Sequence, residues 1–368
     1  MVNKKYKRYN FRIYPNTEQK TLFAKTFGCV RFIYNKMLID KIKYYEETKQ
    51  ILNNTPTQYK NEFEWLKEVD SLSLVNAMNH LQTAYNNFFK RPETGFPKFK
   101  SKKENRKTYT TNCINGNIRI NNGYIKLPKI TEIKMKQHRE IPESYKLKSV
   151  TVIQVPSGKY YVSVLFEYEN QIQEKELKTF LGLDYSMHDL YKDSNGNISN
   201  YPRYYRLAEE RLKREQRKFS KMKKGSSNQK KQRIKIARAY EKVANQRKDF
   251  LHKQSRKLAN EYDCICIEDL NMKEMSQKLR FGKSVYDNGW GMFTEFLKYK
   301  LENQGKKLVK VDKFFASSQL CSVCGYKNIE TKNLSLREWK CPKCGTFHDR
   351  DKNAAINIRN KGMQTIFA

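Results

Sequence analysis

No stretch of this sequence approaches the roughly 18 consecutive apolar residues that a membrane-crossing helix needs. The opening residues, Met1-Val-Asn-Lys-Lys-Tyr6, lack the apolar core of a secretory leader. Export is therefore not expected, and a reducing cytoplasm is. Acidic residues are few beside basic ones: 38 Asp+Glu against 74 Lys+Arg, a formal net charge of +36 over 368 residues. Aromatics are plentiful, with 24 Tyr and 20 Phe, which argues against disorder along most of the chain. The length suits two or three domains with real cores. A compact chain of charge +36 repels itself, and nucleic acid is the natural polyanion to offset it. The charge runs along the whole chain, not along one amphipathic helix, so a membrane surface is not the expected partner.

The eight cysteines fall into two groups. Cys29, Cys113, Cys264 and Cys266 stand in isolated or apolar contexts, where a free thiol behaves as a small hydrophobe. Cys321-x-x-Cys324 and Cys341-x-x-Cys344, with 16 residues between the pairs, have the spacing of a zinc ribbon. A glycine follows each pair (Gly325 and Gly345), as a tight knuckle requires. Four thiolates make a closed tetrahedral site, so one structural Zn²⁺ is expected.

Alternation over residues 5–14 places Tyr9, Phe11 and Ile13 on one face of a strand. Pro15-Asn16-Thr17 ends it and caps a helix running from about Glu18 to about Glu47. A second helix is expected over 72–90, with Leu74, Met78, Leu81, Tyr85 and Phe88 as its stripe and Asn76, Asn79, Thr83 and Asn86 elsewhere on the cylinder. Those amides suit a solvated face, or contact with base edges. Residues 92–112 read as a basic connector punctuated by Gly and Pro. Short strands follow to about 169, including a hairpin of 150–155 with 159–168. The first 170 residues thus form a small β unit split by a helical insertion.

From Phe180 the character changes. Phe180–Ser186 reads as a buried strand ending at a carboxylate, and Leu190–Asp193 as the next strand. Residues 206–259 carry 20 Lys/Arg against five Asp/Glu, interrupted at Gly225-Ser226-Ser227-Asn228. They are expected to form a helical hairpin presenting a phosphate-backbone surface, with Ile236, Tyr240, Val243 and Phe250 on the inner side of its second arm. A third strand over 262–267 ends at Glu268, a helix spans about 292–304, and a strand covers 307–311.

Three acids therefore sit at element ends: Asp184, Glu268 and Asp351. Phosphodiester cleavage with two Mg²⁺ ions, or Mn²⁺, needs such carboxylates in a rigid cluster. Each acid also has an ordinary role open to it. Asp184 can cap a turn, Glu268 can pair with a lysine, and Asp349 or Asp351 can be a helix N-cap.

Leu-Gly-Leu-Asp184, Ile-Glu268-Asp-Leu-Asn and Asp-Arg-Asp351-Lys-Asn-Ala-Ala-Ile-Asn-Ile resemble the three RuvC motifs of the TnpB family, transposon-encoded relatives of type V CRISPR effectors. Ala316-Ser-Ser-Gln-Leu-Cys321, Gly28-Cys-Val-Arg-Phe-Ile-Tyr-Asn-Lys36 and Gly95-Phe-Pro-Lys-Phe-Lys100 extend the likeness over nearly the whole chain. The resemblance implies an α/β and α+β multidomain protein. A split β-barrel wedge domain (1–16 and 98–172) would carry a helical recognition insertion (17–97). A RuvC, RNase H-like mixed sheet (173–318 and 346–368) would hold the basic hairpin (204–260) and the four-cysteine ribbon (319–345).

The resemblance further implies an RNA-guided DNA endonuclease acting near the nucleoid. Its guide RNA would come from the transposon end and pair with double-stranded target DNA beside a short motif read by the protein. Asp184, Glu268 and Asp351 would bind magnesium. Asp351 is preferred over Asp349, because the family's acid lies in Asp-x-Asn-Ala-Ala. Arg31, Asn76, Asn79, Lys98, Lys100, Thr111 and Asn112 are the expected nucleic-acid contacts. Tyr185-Ser186-Met187 depart from the Leu-Gly that many relatives carry after the first acid. A protein-only transposase or resolvase, or an inactive RNA-guided repressor, are the alternatives.

Overall fold

The computed structural model describes residues 4–103, 107–278, 282–333 and 335–367. It divides into two compact units, residues 1–170 and 171–368.

The first unit begins with β1 (Lys4–Tyr14), α1 (Thr17–Thr48), α2 (Pro56–Glu62) and α3 (Ser71–Lys90). It continues with β2 (Lys107–Asn112), β3 (Arg119–Asn121), β4 (Tyr124–Leu127), β5 (Ile130–Lys136), β6 (Lys146–Gln154) and β7 (Tyr160–Glu169). The seven strands form one antiparallel sheet in the order β2-β6-β7-β1-β5-β4-β3. Tyr9, Phe11 and Ile13 alternate into its core beside Val150, Val152, Val162 and Val164. Asn16 starts α1 with a capping box, its side chain accepting from Gln19 N–H while the Gln19 side chain accepts from Asn16 N–H. Phe23 and Phe27 of α1 join the sheet's core. Further along, Ile33, Met37 and Leu38 build a second cluster with Tyr59, Leu66, Leu74 and Leu81.

Residues 107–112 form β2 rather than the end of a connector. Lysines and prolines punctuate the stretch before it, but Tyr109 and Thr111 alternate inward, and both are buried.

The second unit holds β8 (Phe180–Ser186), β9 (Leu190–Asp193), α4 (Tyr204–Ser220), α5 (Ser227–Glu261) and β10 (Cys264–Glu268). After these come α6 (Met272–Lys278), α7 (Gly282–Asn288), α8 (Trp290–Glu302), β11 (Lys307–Val311), β12 (Glu338–Lys340), β13 (Phe347–Asp349) and α9 (Arg350–Phe367). The sheet order is β11-β10-β8-β9, parallel except at β9. Helices cover both faces, which is why these strands read as continuous apolar runs. Leu181, Leu183, Ile265 and Ile267 face α5 and α8 through Leu251, Leu258, Phe293 and Leu297. Cys264 and Cys266 face the other way and meet Ile358 of α9. Helices α4 and α5 pair as a hairpin. Away from its root Leu212 and Val243 are buried, and polar pairs add to the contact: Gln232 donates to the Glu215 carboxylate at 2.8 Å, and Lys235 pairs with the same group at 3.1 Å. Of the expected inner stripe of α5, Val243 is buried, Phe250 is half-buried and Tyr240 is exposed.

Candidate metal centre and nucleic-acid contacts

Strand register brings the first two acids together. Leu183 pairs with Ile267 across the parallel β8–β10 ladder, and the next residue on each strand is an acid, Asp184 and Glu268. Side chains alternate along a strand. Leu183 and Ile267 enter the α5/α8 core, so Asp184 and Glu268 turn to the opposite face with Gly182 and Cys266. Helix α9 lies against that face. A Cβ on Gly182 would stand 2.0 Å from the carbonyl oxygen of Ala355 and 2.8 Å from the Arg359 nitrogen. Only a glycine lets the helix backbone approach β8 this closely. Asp351 sits one helical turn before Ala355, in the first turn of α9.

The electrostatics of Asp184 register this gathering. Burial pushes its carboxyl well above the usual carboxylate range, and the neighbouring charges of Glu268 and Asp351 push it further. Arg350 and the Tyr185 N–H oppose the shift. Glu268 is raised by burial too, against a hydrogen bond from Ser317, whose Oγ donates to Glu268 Oε1 at 2.5 Å. The two acids of the third motif have separate tasks. Asp349 accepts from the Lys352 N–H at 2.8 Å, as the N-cap of α9, and takes the Lys192 ammonium at 2.7 Å. Burial works against its charge, but Lys192 and the backbone N–H groups hold its pKa below the ordinary value. Among the described residues Asp351 makes no cap, and it pairs with Arg337 at 3.5 Å. Lys192 is itself the cross-strand partner of Asp184 on β9. Arg337, Lys192 and Ser317 are neighbours that no local sequence pattern announces.

Tyr185 takes no place on the acid face. Its ring packs edge-on against Trp290 at 5.3 Å, and its hydroxyl accepts from Asn288 Nδ2 at 3.0 Å. Asn288 also donates to the carbonyls of Ser186 and Met187. The departing residues thus brace the strand end from the core side.

Among the described residues, the four cysteines are the group whose ligand atoms all lie within 4.8 Å of one another. Cys321 and Cys344 sulfurs are 3.6 Å apart, as are those of Cys324 and Cys341. Metal–sulfur bonds of about 2.3 Å at tetrahedral angles require nearly this spacing. The two knuckles match: Gly325 N–H bonds Cys321 O and Gly345 N–H bonds Cys341 O, each at 2.9 Å, with both glycines at positive φ. His348, which sequence reasoning did not single out, places Nε2 3.0 Å from the Cys321 sulfur.

The expected nucleic-acid contacts divide by exposure. Arg31 and Lys100 line one cavity of about 190 Å³ with Lys102, Lys107 and Thr108. No local motif sets Lys102, Lys107 and Thr108 apart from the other basic and polar residues of this stretch. The backbone of Lys100 is clamped in both directions by the Asn35 amide, and its ammonium lies 4.0 Å from the Tyr34 ring centre. Lys98 and Asn79 are exposed. Asn76 bonds back to the Leu72 carbonyl at 2.8 Å. Thr111 is fully buried, its hydroxyl donating to Asp70 at 2.5 Å, and Asn112 is half-buried.

Comparison with known proteins places this architecture. Residues 163–279 match the OrfB_IS605 family, described as "Probable transposase", and residues 290–358 match the Cas12f1-like TNB domain. Residues 1–50 match a helix-turn-helix domain; here they are the strand β1 and the single long helix α1. A Streptomyces pristinaespiralis protein, provisionally named an RNA-guided DNA endonuclease, is 34% identical over 99% of this chain and 91% of its own length. InsQ of Escherichia coli K12, named in the same terms, is 28% identical over 98% of this chain and 93% of its own. The cryo-EM structure of a Cas12f1–sgRNA–target DNA complex superposes with a TM-score of 0.63 at 14% identity, covering 97% of this chain and 99% of that one, which is a likeness of fold. With this identity sustained along almost its whole length, the chain belongs to the transposon-encoded TnpB/OrfB family.

Proposed function

We propose that this protein is an RNA-guided DNA endonuclease that hydrolyses phosphodiester bonds at the acid face of its second unit. The observation that carries the reading is the convergence of Asp184 and Glu268, at matching register on adjoining strands, with the helix that bears Asp351. The near full-length relatives bear the same activity in their names.

The acid face fits hard divalent cations. Its donors are all carboxylate oxygens, and Asp184 carries a charge conflict with Glu268 and Asp351 that an added cation relieves. When bound, Mg²⁺ or Mn²⁺ supplies stabilisation of the attacking and leaving oxygens of the phosphodiester. Asp184, Glu268 and Asp351 would hold the ions, and Arg337 stands beside Asp351 where it can meet a phosphate oxygen. Lys192 keeps Asp349 ionised and committed to capping α9, which leaves Asp351 as the ligand. The cysteine cluster suits one structural Zn²⁺.

In this reading the sheet of the first unit is the wedge domain (1–16 and 98–172), α1 to α3 the recognition insertion (17–97), and the second unit the RuvC domain with its ribbon (319–345). The basic hairpin α4–α5 and the Arg31/Lys100 cavity offer charge to nucleic-acid backbones, while base pairing with the guide supplies sequence choice.

The test is expression beside the native downstream flank, sequencing of the RNA that co-purifies, and cleavage of a plasmid carrying the matching target in Mg²⁺. A discrete RNA with a variable 3′ end is expected, and Asp184→Ala should abolish cutting while still binding it. Cutting that needs no RNA, or that survives Asp184→Ala, refutes the proposal.

A further inference from the structure

Glu268 ends β10 with one carboxylate oxygen already engaged by Ser317. Ser317 is 5% exposed and lies between β11 and the first cysteine pair, in a stretch with no helix or strand to hold it. The stretch is held from α9 instead. Asn357 Nδ2 donates to the Ser317 carbonyl at 2.8 Å and to the Leu320 carbonyl at 2.7 Å. Asn353 Nδ2 donates to the same Leu320 carbonyl at 2.7 Å, and its Oδ1 accepts from the Ser322 N–H at 2.9 Å. Both amides are buried and lie one turn apart on one face of the helix. Asparagine is a poor helix-interior residue, because its amide competes for backbone partners. Two of them spend that capacity on four bonds to a single irregular segment. That segment leads directly into Cys321, the first thiol of the ribbon.

We infer that Ser317 is a positioning residue for Glu268, and that Asn353 and Asn357 of α9 fix the segment that carries it. One helix then sets two acids: it bears Asp351 itself, and it orients Glu268 through Ser317. A carboxylate with one oxygen bonded to a fixed donor cannot turn freely about its last torsion, which orders its second oxygen for a cation. Partners of this kind, one shell behind the ligand, commonly change metal affinity 10- to 100-fold. The inference rests on the proposed role of Glu268 as a metal ligand.

The experiment is a Mn²⁺ titration of the purified full chain, following free Mn²⁺ by electron paramagnetic resonance. Wild type is compared with Ser317→Ala, Ser317→Thr, Asn357→Ala and Glu268→Gln. Ser317→Ala should weaken Mn²⁺ binding by about 10- to 100-fold without lowering the melting temperature appreciably. Ser317→Thr, which keeps the hydroxyl, should recover most of the affinity. Asn357→Ala should weaken Mn²⁺ binding with cysteine-bound zinc unchanged. If Ser317→Ala binds Mn²⁺ as wild type does while Glu268→Gln does not, the inference is overturned. If Glu268→Gln also binds as wild type, the assignment of Glu268 as a ligand fails with it.

Discussion

The close approach at Gly182 makes a quantitative prediction. In Gly182→Ala, the new methyl would sit 2.0 Å from the Ala355 carbonyl oxygen, whereas ordinary contact begins at 3.4 Å. Backbone stands on both sides, so no flexible side chain can absorb the conflict. Helix α9 must retreat by about 1.4 Å, and Asp351 must retreat with it. Overpacking of this kind costs about 1–3 kcal/mol, or a drop in melting temperature of about 2–12 °C for a unit of this size. A displacement of about 1 Å at a reacting centre costs on the order of 100-fold in rate. Single-turnover cleavage of a guided plasmid should therefore slow by about 100-fold, with guide RNA still bound, since RNA contact does not need the acid face. Gly28→Ala is the control: Gly28 lies within α1, a Cβ there meets nothing within 4 Å, and the change should stabilise by about 0.5–1 kcal/mol. A Gly182→Ala protein that melts with wild type and cuts within twofold of it refutes the account of how α9 is seated.

Other expectations follow from the same face. Asp184 has a folded pKa raised above its unfolded value, so the metal-free protein binds more protons folded than unfolded between the two values. Its stability should fall as pH rises from about 4, and Asp184→Asn should flatten that slope in melts without divalent metal while abolishing cleavage. Asp349→Ala should cost about 1 kcal/mol through loss of the α9 cap and leave measurable cutting, whereas Asp351→Ala should melt near wild type and cut nothing; the reverse ranking would exchange their roles. Metal analysis should find one zinc per chain, and Cys341→Ala should remove it and lower the melting temperature of the second unit.

Much of this molecule is written locally. The alternation of Tyr9, Phe11 and Ile13, the Asn16 cap, the apolar runs ending at Asp184 and Glu268, and the paired cysteine knuckles each declare themselves within about ten residues. Their physics is that of one strand, one cap or one turn, so the sequence alone suffices. Helices α6 and α7 were not legible, because seven residues give too few turns for a stripe to show. Strand β2 was masked by the lysine- and proline-rich composition before it. The neighbours of the acids were illegible for another reason. Ser317 is 49 residues from Glu268, Lys192 is 157 from Asp349, and His348 is 27 from Cys321. Such pairs exist only once the chain has folded, and no periodicity encodes them. The family motif already prefers Asp351 over Asp349, but what occupies Asp349, the α9 cap and Lys192, needed the folded chain.

The hairpin α4–α5 is joined between β9 and β10, its root lies on the face of the sheet opposite the acids, and that root is tied into the apolar core through Leu251, Leu258 and Ala259. Beyond the root, its arms carry only scattered buried residues such as Leu212 and Val243 beside polar pairs such as Gln232 with Glu215, and its tip turns at Gly225. Such an appendage is free to evolve in length. Two helical turns added to or removed from both arms would change its reach along a nucleic acid while the strands bearing Asp184 and Glu268 stayed where they are. Lineages descending from a chain built this way can therefore be diversified, by nature or by engineering, through the span of that lever, with the chemistry inherited intact.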